Sequence, residues 1–314
     1  SRILENRSSS GNIKFVDVTS EKNQALKNIG LVTTSTWVDI DGDKWDDLVV
    51  TGEWMSLRFF KNNKGKLFTE VTNEVFKNEQ RGWWNDIEKG DFDKDGDIDL
   101  IVGNLGLNYK YQASNEKPFR VYLNDFDKNA TYDIVLSYNS GDTEYPVRGR
   151  QCSSQQMPAI KDKFKNYNSF ASASLNEIYT DQMLNESLKY EIKSFASIYL
   201  QNNNGKFTAK PLPYQAQFSN INSIVVEDID IDGNLDLIIG GNLYNAEVET
   251  PRNDASFGLW LKGDGNGGFI TQEPRESGLV ITGDARNIEL INVGNKRHLL
   301  VAANNQALQQ IKIN

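Results

Sequence analysis

One nine-residue pattern occurs four times in this chain and constrains its fold more than any other feature. The copies lie at residues 39–47, 91–99, 125–133 and 228–236. Each copy carries Asp at positions 1, 3, 5 and 9, except that position 5 of the third copy is Asn129. An internal repeat of this kind indicates an architecture of similar supersecondary units packed side by side.

Alternate acidic side chains in a short loop are a typical donor set for calcium. Ca²⁺ takes six to eight oxygen ligands, and carboxylates held this close repel one another unless a cation lies between them. Magnesium requires stricter octahedral geometry and keeps more of its water, so it is the poorer candidate. Position 7 varies in residue type, which suits a ligand provided by the backbone carbonyl.

We therefore predict Ca²⁺ as the cofactor, with one site in each of the four loops. The predicted ligands are Asp39, Asp41, Asp43, Trp45, Asp47, Asp91, Asp93, Asp95, Asp97, Asp99, Asp125, Asp127, Asn129, Thr131, Asp133, Asp228, Asp230, Asp232, Asn234 and Asp236.

The loops allow two other interpretations. The first is a set of solvated acidic turns, because Asp, Asn and Gly favour turns without any metal; four copies in one register argue against it. The second is the EF-hand, which needs a bidentate Glu at position 12 and flanking helices. Position 12 is instead Val50, Val102, Leu136 or Ile239, and each loop runs into an apolar β-rich segment. The loops are therefore predicted to join strands.

The segments around the first loop predict four short antiparallel strands. They lie at 35–39, 47–51, 57–61 and 67–71. The second half of the same unit recurs at 198–208 and 259–271, again around a turn rich in Gly and Asn. Four antiparallel strands per unit are typical of a propeller blade. We therefore predict an all-β fold, a single β-propeller domain over residues 1–314.

Both ends of the chain have the pattern of partial blades. Segments 2–6 and 13–19 are predicted to pair with segments 287–292 and 298–302, which would close the ring and remove exposed sheet edges. The blade count is then about five, or larger if the chain is a fragment. Because the chain begins at Ser1 without Met or an apolar signal segment, we expect it to be processed or trimmed.

A helical insertion is predicted at residues 150–195, within the propeller. Its apolar residues recur near the helical period, for example at Ile160, Phe164, Leu188 and Ile192. We expect these helices to pack on the propeller as a cap; the alternative is a mobile lid.

The aspartate loops and the Tyr-Leu-x-Asn-x-x-Gly-x-Phe-like strand pairs resemble the FG-GAP/VCBS repeats of integrin-α-type propellers. Segments such as Gly52-Glu-Trp and Gly82-Trp-Trp are similar to bacterial surface proteins of the ASPIC/UnbV-associated type. The resemblance implies calcium in the loop between the first two strands of a blade. Position 6 departs from the expected Gly at Lys44 and Ala130. With Asn129 replacing one carboxylate, the 125–133 loop is expected to be the weakest site.

Composition excludes several classes of function. A net charge of −9 argues against nucleic acid as a partner, and no apolar stretch is long enough for a transmembrane segment. A single cysteine, Cys152, and a single histidine, His298, leave no internal disulfide and no structural zinc site. No convincing catalytic constellation is present, so we predict a protein that is not an enzyme.

The predicted function is a calcium-stabilised binding or assembly module, secreted or on the cell surface, that recognises a protein or glycan. The alternative is a glycan-active enzyme or lectin on the same scaffold. Family resemblance alone adds an outer-membrane complex as a partner. Long loops on a rigid scaffold are the usual sites of recognition. The candidate partner-binding residues in such loops are Tyr109, Tyr111, Tyr244, Arg252 and Asp254.

Overall fold

The computed structural model describes residues 1–77, 81–246 and 250–313. The chain divides into two compact units. Unit 1 comprises Ser1–Asn108, Ala196–Tyr244 and Asn253–Asn314, and unit 2 comprises Tyr109–Phe195 and Asn245–Arg252. Both are built mainly from antiparallel sheets, and none of the described sheets is closed.

The strands, in chain order, are β1 (Leu4–Asn6), β2 (Phe15–Asp17), β3 (Leu31–Val38), β4 (Asp47–Ser56), β5 (Arg58–Asn62), β6 (Phe68–Glu70), β7 (Arg81–Trp83), β8 (Asp86–Gly90), β9 (Asp99–Gly103), β10 (Phe119–Asn124), β11 (Asp133–Ser140), β12 (Thr143–Pro146), β13 (Leu188–Ile192), β14 (Ile198–Asn202), β15 (Phe207–Pro211), β16 (Ser223–Glu227), β17 (Asp236–Gly240), β18 (Leu259–Gly263), β19 (Phe269–Gln272), β20 (Ala285–Val293), β21 (Lys296–Ala303) and β22 (Gln309–Lys312).

The helices are short. They are α1 (Thr19–Lys22), α2 (Thr72–Val75), α3 (Arg150–Gln156), α4 (Ala159–Lys163), α5 (Tyr167–Ala171), α6 (Leu175–Tyr179), α7 (Asp181–Glu186) and α8 (Pro274–Ser277), with 3₁₀ turns at Gln24–Asn28 and Tyr214–Gln217. None of the described helices has the length and apolar character needed to cross a membrane.

Unit 1 contains three sheets of the predicted four-stranded type. Their strand orders are β3-β4-β5-β6, with β7 added beside β4, then β8-β9-β14-β15, and then β16-β17-β18-β19. A fourth, three-stranded sheet has the order β20-β21-β22. The first strands of successive sheets contact one another: β3 lies against β8, β8 against β16, and β16 against β20.

The core of unit 1 consists of apolar layers between neighbouring sheets. The side chains of β9 show this, because Leu100 and Val102 pack with Val49 and Phe59 of the first sheet. Ile101, between them in sequence, packs instead with residues of the third sheet such as Leu237. Alternate side chains of a strand point to opposite faces, so a strand with sheets on both sides must be apolar throughout. That requirement explains the uninterrupted apolar runs after the loops.

In the sequence, most of unit 2 is inserted between β9 and β14, two paired strands of the second sheet of unit 1. It holds a four-stranded antiparallel sheet of different order, β12-β11-β10-β13, on which the helices of the unit pack. The shared core joins Tyr122, Phe126 and Val135 of the sheet region to residues of the helices such as Ile160 and Leu175. The insertion is therefore larger than the predicted 150–195, and its helices lie on the sheet of their own unit.

Two further predictions differ from the structure. Leu188 and Ile192 lie in β13 and not in a helix, because a spacing of four residues also keeps side chains on one face of a strand. At the chain ends, β1 pairs with β2 in a separate two-stranded sheet, and β20–β22 form their own sheet. Within the described residues the two ends do not pair with each other, so the predicted ring closure and the count of about five blades are not confirmed.

Candidate functional site

The four aspartate loops connect consecutive strands, as the sequence predicts. In unit 1 the loops at 39–47, 91–99 and 228–236 join β3 to β4, β8 to β9 and β16 to β17. In each of these sheets the loop links the first strand to the second. In unit 2 the loop at 125–133 joins β10 to β11, which are the two central strands of that sheet.

All four loops follow the same backbone path. Positions 4 and 6 have positive φ in every copy; the eight residues are Gly42, Lys44, Lys94, Gly96, Lys128, Ala130, Ile231 and Gly233. This path directs the backbone N–H of position 6 toward the carboxylate of position 1, as from Lys44 to Asp39 Oδ2 at 2.7 Å. Ala130 makes the same bond to Asp125 Oδ2 at 2.8 Å. The missing glycines at position 6 therefore do not change the path of the loop, although they cost backbone strain.

The loops bring carboxylates together. In each loop one oxygen from each of three aspartates lies within 4.8 Å of the others. The sets are Asp39, Asp41 and Asp43; Asp91, Asp93 and Asp99; Asp125, Asp127 and Asp133; and Asp228, Asp230 and Asp236. Three convergent carboxylates are hard oxygen donors of the kind that Ca²⁺ prefers. These clusters could hold metal ions.

The aspartate at position 9 has a structural role in every loop. Asp47, Asp99, Asp133 and Asp236 are all buried, and each accepts a hydrogen bond from the backbone N–H of position 2 of its own loop. In unit 1 the other oxygen accepts the N–H of the last residue of the third strand, as from Asn202 to Asp99 Oδ1 at 2.7 Å. Burial raises the pKa of Asp99 to about 6, although these hydrogen bonds oppose the rise.

The 91–99 loop differs from the others at position 1. In the other three loops the N–H of position 5 donates to Oδ1 of position 1. In this loop the N–H of Asp95 turns to Asp93 Oδ1, and Asp91 Oδ1 is buried without a hydrogen-bond partner. A buried carboxylate oxygen without a partner is costly, and a cation among Asp91, Asp93 and Asp99 would satisfy it. The residues of this loop therefore fit a bound calcium ion.

Each loop of unit 1 also contacts the next sheet through the backbone carbonyl of position 2. Ile40 O accepts from Asn202 Nδ2 at 3.2 Å, Phe92 O accepts from the Gly267 N–H at 3.1 Å, and Ile229 O accepts from Arg297 Nη2 at 2.7 Å. The loops that gather carboxylates thus also connect neighbouring sheets. The sequence alone does not predict these contacts, because each donor is far in sequence from the carbonyl that accepts its hydrogen bond.

The predicted partner-binding residues fall in different environments. Tyr111 is only 3% exposed and packs in a cluster of rings with Tyr109 and Tyr138 in unit 2. It is therefore a core residue and not a surface contact, which corrects that part of the prediction. In unit 1, Tyr244 and the exposed Asp254 follow the two residues of an isolated β-bridge. Arg252 is exposed and belongs to unit 2.

Unit 2 contains a polar groove of about 570 Å³ that the sequence did not reveal. It is lined by Tyr122, Asp142, Thr143, Glu144, Ser174, Leu175, Asn176, Asp181, Leu184, Asn185, Ser187 and Lys189. Glu144 is fixed in it by hydrogen bonds from Arg120 Nη1 at 2.9 Å and the Tyr122 hydroxyl at 3.1 Å. The lining residues come from β10, β12, β13 and the α6–α7 region, so no short motif in the sequence could have predicted the groove.

The sheets and loops define a β-rich protein of repeated units whose aspartate loops join the strands. Residues 39–102 match a family model described as an FG-GAP-like repeat. This segment is therefore similar to an FG-GAP-like repeat, which confirms the FG-GAP resemblance stated from the sequence. The closer similarity to ASPIC/UnbV-associated proteins stays a prediction.

No curated protein sequence matches the chain. Among solved structures, the biofilm matrix protein Bap1 of V. cholerae aligns at 10% identity with a TM-score of 0.30, over 99% of this chain and 68% of that chain. A lectin of Agrocybe aegerita that recognises non-reducing terminal N-acetylglucosamine aligns at 13% identity with a TM-score of 0.24, over 99% of this chain and 88% of its own. At TM-scores this low, neither alignment shows a shared fold or a shared function.

Proposed function

We propose that this chain is a non-enzymatic binding module, located outside the cytoplasm, whose repeated sheets are stabilised by calcium. The observation that carries the proposal is the combination found in unit 1. Each of its three aspartate loops gathers three carboxylates and also contacts the next sheet through a backbone carbonyl. A cation at such a loop would stabilise the contact between two sheets as well as the loop itself.

We further propose that unit 1 is built on the plan of a β-propeller. Three of its sheets have the strand order and the loop position expected of a blade. The contacts between successive first strands, from β3 to β20, are those expected of the inner strands of blades.

Calcium would contribute to stability by mass action. Extracellular calcium sites bind at about 10⁻⁴–10⁻³ M, so millimolar calcium adds on the order of 1 kcal/mol at each tight site. Each such contribution corresponds to about 2–4 °C in the melting temperature of a domain of this size.

The test is thermal unfolding in calcium and in EDTA. We expect EDTA to lower the melting temperature by several degrees and excess calcium to restore it. Asp93→Asn, in a loop, should reduce this calcium-dependent shift. Asp162→Asn, at an exposed acid outside the loops, should keep it. Melting curves that are identical with and without EDTA would refute calcium stabilisation.

For recognition, we propose that the polar groove of unit 2 binds the partner. Its amide, hydroxyl and carboxylate groups offer both donors and acceptors, which suits the hydroxyl groups of a glycan. This favours the lectin alternative for the nature of the partner, while a protein partner and an outer-membrane complex remain proposals from resemblance. Glu144 is engaged by Arg120 and Tyr122, which supports a role in holding the groove rather than in catalysis.

Binding to a glycan array, followed by assays for hydrolysis of any ligand found, tests this part. The double variant Asn176→Ala and Asn185→Ala, in the groove, should lose binding. Asn168→Ala is the matched control, because Asn168 is exposed in the same unit but outside the groove. Equal binding by both variants would place recognition elsewhere, and turnover of a bound glycan would refute the non-enzymatic proposal.

A further inference from the structure

The third strand of each repeated sheet in unit 1 carries one residue beside the aspartate loop. The strand register defines its place: Leu48 pairs with Phe60, Leu100 with Leu200, and Leu237 with Leu261. The next residue along each third strand is therefore structurally equivalent in the three sheets. These three residues are Lys61, Gln201 and Lys262.

The two lysines place their ammonium groups among the carboxylates. Lys61 Nζ contacts Asp41 and lies 3.2 Å from Asp43 Oδ2. Lys262 Nζ contacts Asp230 and lies 2.9 Å from Asp232 Oδ2. In both loops the ammonium group bridges positions 3 and 5, which are predicted calcium ligands. The lysine thus places a positive charge among the same carboxylates that are predicted to bind the metal ion.

The second sheet is different. Gln201 donates from Nε2 to Asp93 Oδ2 at 2.5 Å and brings no charge. The nearby Lys210 donates from Nζ to the amide oxygen of the same side chain, Gln201 Oε1, at 2.8 Å. The same loop is the one in which Asp91 Oδ1 is buried without a partner. Among the described residues, the 91–99 loop therefore has a neutral amide where the other two loops have an ammonium group, and it also has one carboxylate oxygen without a partner.

We infer that Lys61 and Lys262 act as internal counter-ions that compete with the divalent ion, so the three loops of unit 1 differ in affinity and the 91–99 loop is the tightest. This inference rests on the proposed calcium binding and adds what sets the affinity of each site. At the other two loops a divalent ion must displace the ammonium group or bind beside it. A single charge a few ångströms from a divalent ion in solvent-exposed surroundings changes its affinity by about tenfold.

The test uses the full chain, with terbium as a luminescent probe and calcium in calorimetry. Trp45 lies within the 39–47 loop, so terbium emission excited through indole, and lost in Trp45→Phe, reports binding at that loop. We expect Lys61→Gln to lower the terbium concentration at the midpoint of this signal about tenfold.

Gln201→Lys should leave the terbium signal unchanged. In calorimetry it should weaken calcium binding at the tightest site by a similar factor. Lys14→Gln, at an exposed lysine far along the chain from the loops, controls for net charge.

The outcomes separate the inference from the proposed function. If calcium binds but Lys61→Gln and Lys262→Gln leave all affinities unchanged, the lysines are not competitors and only this inference is overturned. The same holds if Asp93→Asn, in the 91–99 loop, removes a weak site and not the tightest one. If neither terbium nor calcium binds to any variant, both the inference and the proposed calcium stabilisation are refuted.

Discussion

The carboxyl group of Glu88 should make this protein less stable as the pH rises from 4.5 to 7. Glu88 lies on β8 and lines a cavity of about 600 Å³ between the first strands β8, β16 and β20. Asp86, Glu227 and Glu289 also line it, and Lys89 is the basic residue among the lining residues. Burial, with the negative charges of Asp86 and Glu289, raises the pKa of Glu88 from 4.5 to about 7.

The sign follows from the raised pKa. The folded state binds this proton more tightly than the unfolded chain does, so stability from this group is complete below pH 4.5 and is lost as the pH approaches 7. A rise from 4.5 to about 7 corresponds to at most about 3 kcal/mol. Because the side chain is only half-buried, solvent screening reduces the expected effect to about 1–2 kcal/mol.

Urea unfolding of wild type and Glu88→Gln at pH 5 and pH 8, with calcium held at one saturating concentration, measures this effect. The glutamine cannot ionise, so the variant should gain about 1–2 kcal/mol over wild type on going from pH 5 to pH 8. Taking the difference between the proteins cancels the titration of groups that do not interact with Glu88, such as Asp99. Glu276→Gln, at an exposed carboxyl group on α8, controls for the loss of one negative charge. A constant offset between Glu88→Gln and wild type at both pH values would refute the reasoning.

Two other substitutions test the loops themselves. Tyr199→Phe removes the hydroxyl that donates to Asp99 Oδ2 at 2.8 Å in a buried site, and it should lower the free energy of unfolding by about 1–2 kcal/mol in urea; an unchanged midpoint would mean that this bond contributes nothing. Ile231→Gly should raise the free energy of unfolding by about 0.5–1 kcal/mol, because a β-branched residue is strained at a φ of 62° and this side chain is 79% exposed. Ile134→Gly, in a strand, is its control and should destabilise, so a loss in both variants would contradict the strain argument.

The sequence predicted local structure correctly wherever a short residue pattern determines the backbone conformation. The loops, the strands on either side and the tight turns after the third strands all lie where they were predicted. The reason is that alternating carboxylates, positive-φ glycines and uninterrupted apolar runs each have few structural solutions. β9 and β17 illustrate this, since both follow directly on their loops and are buried along their whole length.

What the sequence could not predict depends on long-range pairing. The strand that pairs with β9 on its far side is β14, about a hundred residues later, because most of unit 2 lies between these two strands in the sequence. The 125–133 loop has the same local pattern as the others, but its sheet has a different strand order. Local patterns set the conformation of a segment and leave open which partner it pairs with. Lys61, Gln201 and Lys262 could have been found by aligning the third strands, although only the structure shows that they reach the carboxylates.

Charge, backbone path and sheet contact are coupled in each loop of unit 1. The turn that points the N–H group of position 6 at the carboxylate of position 1 also leaves the carbonyl of position 2 free to accept a hydrogen bond from the next sheet. Arg297 uses this carbonyl in the 228–236 loop, donating to Ile229 O at 2.7 Å and to Asp228 O at 2.8 Å. A charged donor with two such bonds holds the last sheet to the third one. Anything that fixes the loop, whether a lysine or a divalent ion, therefore also fixes the contact between sheets. For this reason we expect ion binding to affect the unfolding of unit 1 as a whole and not of single turns.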